Sequence, residues 1–469
     1  MSIVARKLRN GSGAKATQEG RDVKTDIEQQ TLFPLSPGTN TSRKTYAPPW
    51  EWVAACVWTP RMLAALENNE VRGGKWHTLM DKVYALPNLY AAWAQVRAND
   101  GAAGVDHVTV EHYERELDAN LNQLAAQLRN GSYVPQAVRR VWIPKPGTGE
   151  ERPLGIPTVR DRIVQTALRN VIEPIFEVGF AAQSYGFRPG RGCQDALRRV
   201  EQLLDAGHTF VVDADLKSYF DTIPHAALRA RMATKIADGR VLALLDAFLQ
   251  QEVMSTLETT QPEAGTPQGA VISPLLSNIY LDPLDHLMAA RGWEMVRYAD
   301  DFVLLCRSQA EADEALRVVR DWTAQAGLML HPTKTRVVDA TKRGGFDFLG
   351  YHFERGYQWP RKKSEQKLKD RVRELTKRTN GQSLSAIITQ LNAVLRGWYE
   401  YFQHSHRSTW RSLDGWIRGR LRSILRKRLR RKGRGRGADH QRWSNAFFEA
   451  QGLFTLETAA ASKGQSCHR

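Results

Sequence analysis

Apolar and polar positions follow two rhythms along this chain, and the change of rhythm marks out its organisation. Residues 1–45 follow neither. Gly, Ser, Thr, Lys and Gln dominate the stretch from "MSIVARKLRNGSGAKATQEG" onward, so it is expected to be disordered. From "PPWEWVAACVWTPRMLAALE" the apolar content rises and helices become plausible. "WHTLMDKVYALPNLYAAWAQVRAND" predicts two short amphipathic helices meeting at Pro87, followed by a loop. Residues 138–157, "VRRVWIPKPGTGEERPLGIP", predict a β-hairpin that turns through Pro-Lys-Pro-Gly. "DRIVQTALRNVIEPIFE" predicts a helix. "FVVDADLKSYFDTIPH" opens as a buried strand and turns into a helix near Ile223 to His225. In "SPLLSNIYLDPLDHLMAA", Leu275, Ile279, Leu284 and Leu287 recur along one side of a helix, and "GGFDFLGYHF" predicts a pair of strands.

Near residue 360 the pattern becomes helical and basic, beginning with "PRKKSEQKLKDRVREL". Leu384, Ile387, Ile388, Leu391, Leu395, Trp398 and Phe402 form one apolar stripe at helical spacing, which predicts the core of a small helical domain. Residues 415–436, "GWIRGRLRSILRKRLRRKGRGR", hold eleven Lys or Arg and no acid. Leu421, Ile424, Leu425 and Leu429 interleave with them. This predicts a helix with a buried side and a dense cationic side, on which Arg418, Arg420, Arg422, Arg426, Lys427 and Arg428 are candidate phosphate contacts.

Composition narrows the partners. The 469 residues carry 67 Lys and Arg against 50 Asp and Glu, a formal charge of +17, which favours a polyanion such as nucleic acid over an anionic membrane surface. No apolar run approaches the ~18 residues of a spanning helix, and the N-terminus lacks the apolar centre of a signal peptide. Cys56, Cys193, Cys306 and Cys467 form no Cys-x-x-Cys pair, so thiols in a reducing cytosol are expected rather than a zinc site or a disulfide framework.

Two acidic segments carry the chemistry. "MVRYADDFVLLCRS", residues 295–308, puts Asp300 and Asp301 between apolar strands, and "VVDADLKSYFD" delivers carboxylates at the end of another strand about 85 residues upstream. Carboxylates converging from separate strands can hold two divalent ions ~3.5–4 Å apart for an in-line phosphoryl displacement. Magnesium suits such oxygen ligands together with substrate phosphates. Alternation places Asp213 and Asp215 on the same side of their strand, so spacing leaves both open as ligands. Lys145 and Arg152, on opposite arms of the hairpin, are candidate triphosphate clamps. Gln268 and Gly269 occupy a Gly/Pro-rich loop that leads into a helix, a place where backbone can approach a ligand closely.

In order, "QSYGFRPGRGCQDAL", "DADLKSYFD", "TPQGAVISPLLSNIYL", "RYADD" and "GGFDFLGYHF" resemble the successive blocks of group II intron-encoded reverse transcriptases, from roughly Lys75 to Phe402. "LNAVLRGWYEYF" resembles the thumb, or maturase, domain of the same family. The resemblance implies an α+β right-hand polymerase with an α-helical thumb. Its segments would be a disordered 1–45, an N-terminal extension and fingers at 46–200, a palm at 201–355, a thumb at 356–430 and a basic tail at 431–469. It implies Asp215, Asp300 and Asp301 as the catalytic metal ligands, with the Leu216 carbonyl beside them and two Mg²⁺, for which Mn²⁺ can substitute. It further implies Phe220 as the group that excludes a ribose 2′-hydroxyl, Tyr298 near the primer end, Lys145 and Arg152 on the triphosphate, Gln268 on the base pair, and Lys334 near the departing pyrophosphate.

The activity so implied is RNA-directed DNA synthesis from deoxynucleoside triphosphates. With it come binding of an intron RNA, help in its splicing, and mobility through reverse transcription at a DNA target, in a bacterial cytosol and without a membrane. Paired cysteines of a nuclease domain are absent from the C-terminal residues, so no endonuclease is expected and priming would come from elsewhere. Two rival readings are a domesticated reverse transcriptase without an intron, for instance in phage defence, and an idle RNA-binding splicing factor that keeps the palm as scaffold.

Overall fold

The structure, a computed structural model, describes residues 51–68, 74–144, 151–254, 259–260, 264–266, 269–431, 433 and 435–464. The expected disorder of 1–45, the tip of the 138–157 hairpin and Cys467 lie outside these residues.

Strands β1 (Val138–Pro144) and β2 (Glu151–Ile156) pair antiparallel, as the Pro/Gly-punctuated hairpin predicts, and β1 also pairs with the short β4 (Val253–Met254), which is followed by β5 (Thr259–Thr260). The core behind them is the helix Val159–Glu177, whose first turn is capped by Thr158, the Thr158 hydroxyl accepting from Asp161 N–H. Leu86–Asn99 packs along it, with Pro87 in the first turn of that helix, where a missing N–H costs nothing.

The centre of the molecule is a four-stranded antiparallel sheet. It contains β3 (Phe210–Asp215), β6 (Glu294–Tyr298), β7 (Asp301–Cys306) and β8 (Arg336–Asp339), in the order β6-β7-β3-β8. Both of its faces are covered, which explains the unbroken apolar runs in its sequence. Val212, Ala214, Phe302 and Leu304 join the core formed with the Ser273–Ala290 and Val159–Glu177 helices. Val211, Val296, Val303 and Leu305 face a second core, shared with the C-terminal third of the chain. The period of two puts Asp213, Asp215 and Asp301 on this second face, at the end of β3 and the start of β7.

The second core also takes in a small antiparallel sheet of β9 (Phe346–Phe348), β10 (Tyr351–Glu354) and β11 (Tyr357–Pro360). β11 extends the strand region past the expected palm edge at 355, because Tyr351 to Glu354 pair directly with Tyr357 to Pro360. The helix Leu384–Phe402 buries Ile387, Ile388, Leu391, Leu395, Trp398 and Phe402 of the predicted stripe. Each such side chain contributes roughly 1.5–3 kcal/mol. The Ser383 hydroxyl caps this helix by accepting from Ala386 N–H at 3.1 Å.

The C-terminal stretch differs from the expected basic tail. Helices Gly437–Arg442, Asn445–Ala450 and Leu456–Gly464 fold back on the helix Ser408–Arg428, burying Trp443, Phe448, Leu453 and Leu456. The buried Asp414 caps the last of them, accepting from the N–H groups of Leu456 at 3.1 Å and Glu457 at 3.0 Å. Among the described residues, no helix is long and apolar enough to cross a membrane.

Candidate active site

The register of the central sheet makes the site. Asp215 stands directly opposite Asp301 across the antiparallel pair of β3 and β7, an arrangement that is destabilising for like charges unless a cation joins them. Tyr298 pairs with Asp301, so Ala299 and Asp300 form a two-residue turn between β6 and β7. Ala299 has φ +60°, at the position where such hairpin turns favour glycine. Burial raises the Asp300 and Asp301 carboxyls, and the neighbouring carboxylates push further. Asp301 rises to about 7, with Asp300, Asp213 and Asp215 adding to its burial and Arg361 opposing. Asp213 rises to about 6, again mainly through burial.

Cations already approach these acids. Lys334 Nζ lies 2.6 Å from Asp215 Oδ2, and Arg336 Nε lies 3.4 Å from Asp213 Oδ2. His331 N–H donates to the Asp215 carbonyl at 2.7 Å, which anchors the Lys334 loop to the end of β3. Lys334 therefore sits on Asp215 itself. Among the described residues, no three His, Cys, Asp or Glu side chains are arranged to enclose a metal ion unaided. The donor set nonetheless fits a hard cation of the magnesium type. Such an ion is bound through one or two carboxylates, keeps several waters and takes its other oxygens from substrate phosphates.

The turn is held from beneath by a buried arginine that sequence reasoning missed. Arg297, fully buried on β6, makes a bidentate ion pair with the buried Asp285, through Nε at 2.7 Å and Nη2 at 2.5 Å. Its remaining donors reach Asn278 Oδ1 at 2.9 Å, Ser184 Oγ at 2.8 Å and the Ala299 carbonyl at 2.8 Å. Gly186 packs beneath the same turn, where an added Cβ would fall 2.3 Å from Ala299 N. The only signal in the sequence was a charged residue inside an apolar strand, with Asn278 and Asp285 seven residues apart on one helix face.

The other expected residues divide. Leu216 is buried and bridges to Leu330; Phe220 is partly buried, its ring 5.4 Å from that of Tyr219. Tyr298 is half-buried, with Cys193 as the side-chain partner of its hydroxyl and the Phe187 ring 6.1 Å away. Gly269 has φ +103° and approaches the protein's own hairpin rather than open space: a Cβ there would lie 2.3 Å from the Gly155 carbonyl oxygen. Lys145 and Gln268 lie outside the described residues, and of Arg152 only the backbone place is described, opposite Ile143 in β2.

The basic helix needs correcting. Arg418, Arg422 and Arg426 recur every four residues, so they share one face, and that face meets the C-terminal helices. Arg418 and Arg422 are buried. Arg422 donates to the Trp443 carbonyl at 2.9 Å and to Asn445 Oδ1 at 3.1 Å, while Arg426 pairs with Asp439. Arg420 donates to the Thr376 carbonyl at 2.9 Å, and Arg428 to the Gln382 carbonyl. These arginines tether neighbouring segments instead of lining an open cationic face. Lys427, with Arg378, Arg430 and Arg431, does line an open pocket of about 520 Å³.

A family described as "Reverse transcriptase (RNA-dependent DNA polymerase)" matches residues 143–353, and one described as "Group II intron, maturase-specific domain" matches residues 365–443. Protein YkfC of Escherichia coli is 35% identical over 289 residues, covering 54% of this chain and 76% of its own. Group II intron-encoded protein LtrA of Lactococcus lactis is 36% identical over 198 residues, covering 42% of this chain and 32% of its own. The chain thus spans about a third of LtrA. A solved chain titled "Partial Cas6-RT-Cas1--Cas2 complex" is 25% identical, covers 53% of this chain and 42% of its own, and superposes with a TM-score of 0.35.

Proposed function

The chain belongs to the group II intron-encoded reverse transcriptases that carry a maturase-specific domain, and from that premise we propose that it synthesises DNA on an RNA template and binds the RNA of a group II intron. The observation that carries the polymerase reading is the direct opposition of Asp215 and Asp301, with Asp300 in the turn between them and β6. Like charges directly opposite one another across a sheet are costly to keep without a cation.

In this reading Asp215, Asp300 and Asp301 would hold two divalent ions, Mg²⁺ by their oxygen donors, which would supply charge stabilisation as a primer 3′-hydroxyl displaces pyrophosphate from the α-phosphate of a deoxynucleoside triphosphate. Lys334, paired with Asp215 at 2.6 Å, would serve the leaving pyrophosphate as a point charge. Lys145 and Arg152 on the hairpin clamp the triphosphate, Gln268 contacts the base pair, Phe220 sets the wall against a 2′-hydroxyl, and Tyr298 rests near the primer end. The leading surface for folded RNA is the cationic pocket of Lys427, Arg378, Arg430 and Arg431. Assistance to splicing and mobility at a DNA target extend the same reading, with the protein acting in the cytosol beside its nucleic acids.

The test is incorporation of labelled dTTP on poly(rA)·oligo(dT) with Mg²⁺, beside Asp300→Ala. The wild type should incorporate, and the variant should lose more than the roughly hundred-fold that outer-shell partners of a metal are worth. A folded, RNA-binding wild type without incorporation would overturn the polymerase reading in favour of an idle splicing factor.

A further inference from the structure

Phe187 combines two unfavourable features beside the catalytic turn. Its backbone is left-handed, at φ +55°, and half of its surface is exposed. A positive φ is uncommon for any residue with a Cβ and is a genuine outlier for a bulky one. An apolar ring left in water adds a second cost. Strain of this kind persists only where the surroundings over-determine it, and it clusters at functional sites.

The surroundings do over-determine it. On one side, Tyr185 N–H donates to the Arg297 carbonyl at 2.8 Å, and Asn278 Nδ2 donates to the Gly186 carbonyl at 2.8 Å. Gly186 itself is pressed against the Ala299 backbone. On the other side, Arg188 is buried, bonded to both oxygens of Glu177 and to the carbonyls of Ala181 at 2.7 Å and Ser184 at 2.9 Å. Gly186 is thus locked to the turn that bears Asp300, and Arg188 to Glu177, Ala181 and Ser184. Its ring lies 6.1 Å from that of Tyr298, at 46°.

We propose that Phe187 is a stacking platform for a base of the primer–template hybrid where it enters the active site. Every nucleobase presents a π-face, so a rigidly held aromatic ring gives sequence-independent grip. The edges and faces of Phe187 and Tyr298 together form an aromatic corner next to the catalytic turn. This inference rests on the polymerase reading above and adds a residue to its substrate surface.

The test separates ring from backbone. Phe187→Asn removes the ring while keeping a residue that tolerates the left-handed conformation; Phe187→Trp keeps a ring. Each is measured by fluorescence anisotropy for binding of an RNA–DNA hybrid, by steady-state KM for dTTP, and by thermal unfolding. Phe187→Asn should bind the hybrid about ten-fold more weakly, the order of one lost base–aromatic stack. Its unfolding temperature should hold or rise, and its KM for dTTP should not change. Phe187→Trp should bind like the wild type. Hybrid binding by Phe187→Asn equal to wild type overturns the proposal, as does a weakened binding accompanied by a fall in unfolding temperature. A wild type that binds hybrid without incorporating dTTP overturns the polymerase reading, and the stacking assignment with it.

Discussion

Arg297 offers the sharpest test of how the catalytic turn is held. Arg297→Met removes five side-chain hydrogen bonds and leaves Asp285 buried without its partner. Stranding one member of a buried ion pair costs about 3–5 kcal/mol, a large share of the ~5–15 kcal/mol that holds a typical domain together. A second effect falls on the site. Without the guanidinium, the Ala299 carbonyl loses its buried donor, and the left-handed Ala299, strained by about 1–3 kcal/mol, is free to relax. Asp300 follows in the chain, and a 1 Å displacement of a reacting group can cost about a hundred-fold in rate. The double variant Arg297→Met, Asp285→Leu separates the two effects. Replacing both members of a buried pair by apolar groups is often neutral, so denaturant unfolding should show most of the lost stability restored. The turnover number for dTTP incorporation should stay low, because methionine offers no donor to Ala299. A single variant that loses less than about 1 kcal/mol refutes the stability argument. A double variant that regains turnover together with stability refutes the positioning argument.

Two further predictions follow from the same site. Asp301 and Asp213 are raised in the folded protein to about 7 and about 6, well above the ordinary carboxylate range. The folded state therefore holds these protons more tightly than the unfolded chain, and the stability they contribute is complete below pH ~4 and is lost as pH climbs through 6 and 7. Unfolding free energy measured from pH 5 to 8 in EDTA should fall with pH, and saturating Mg²⁺ should flatten that slope by taking the place of the protons. Identical slopes with and without the ion would contradict this. Gly269→Ala would set a Cβ 2.3 Å from the Gly155 carbonyl oxygen at φ +103°. It should cost about 1–3 kcal/mol in thermal unfolding and raise the KM for dNTP by shifting the hairpin. An unchanged unfolding temperature and KM would show the contact to be dispensable.

Reading the sequence succeeded where local pattern and tertiary role agree. The apolar runs on both sides of "ADD" and before "DAD" read as strands, and they are neighbouring strands of one sheet. Sequence reasoning failed where the partner of a charge arrives from elsewhere in the fold. Arg422 and Arg426 read as a solvent-facing phosphate surface because their acceptors, Trp443, Asn445 and Asp439, lie a dozen or more residues downstream in a stretch expected to be a basic tail. Arg297 was passed over for the same reason, since nothing in "MVRYADD" announces that Asp285 and Asn278 wait beneath the strand.

The distinction that local sequence cannot make is the one that separates scaffold from chemistry in this protein. Arg297 and Asp285 are fully buried, and each charge is matched by the other and by neutral donors and acceptors around it. Such a pair fixes geometry and has nothing left to offer a ligand. One turn away, Asp300 and Asp301 are only partly withdrawn from water and have other carboxylates as neighbours, and their protons are harder to remove than those of free carboxyls. Charge that the protein satisfies in its core is structural; carboxylates left facing one another on a braced turn are where the proposed cation would sit. The bracing matters as much as the charge. Without Arg297 and Gly186 beneath it, the turn could relieve its repulsion by opening, and the protein would be more comfortable and less able to bind an ion.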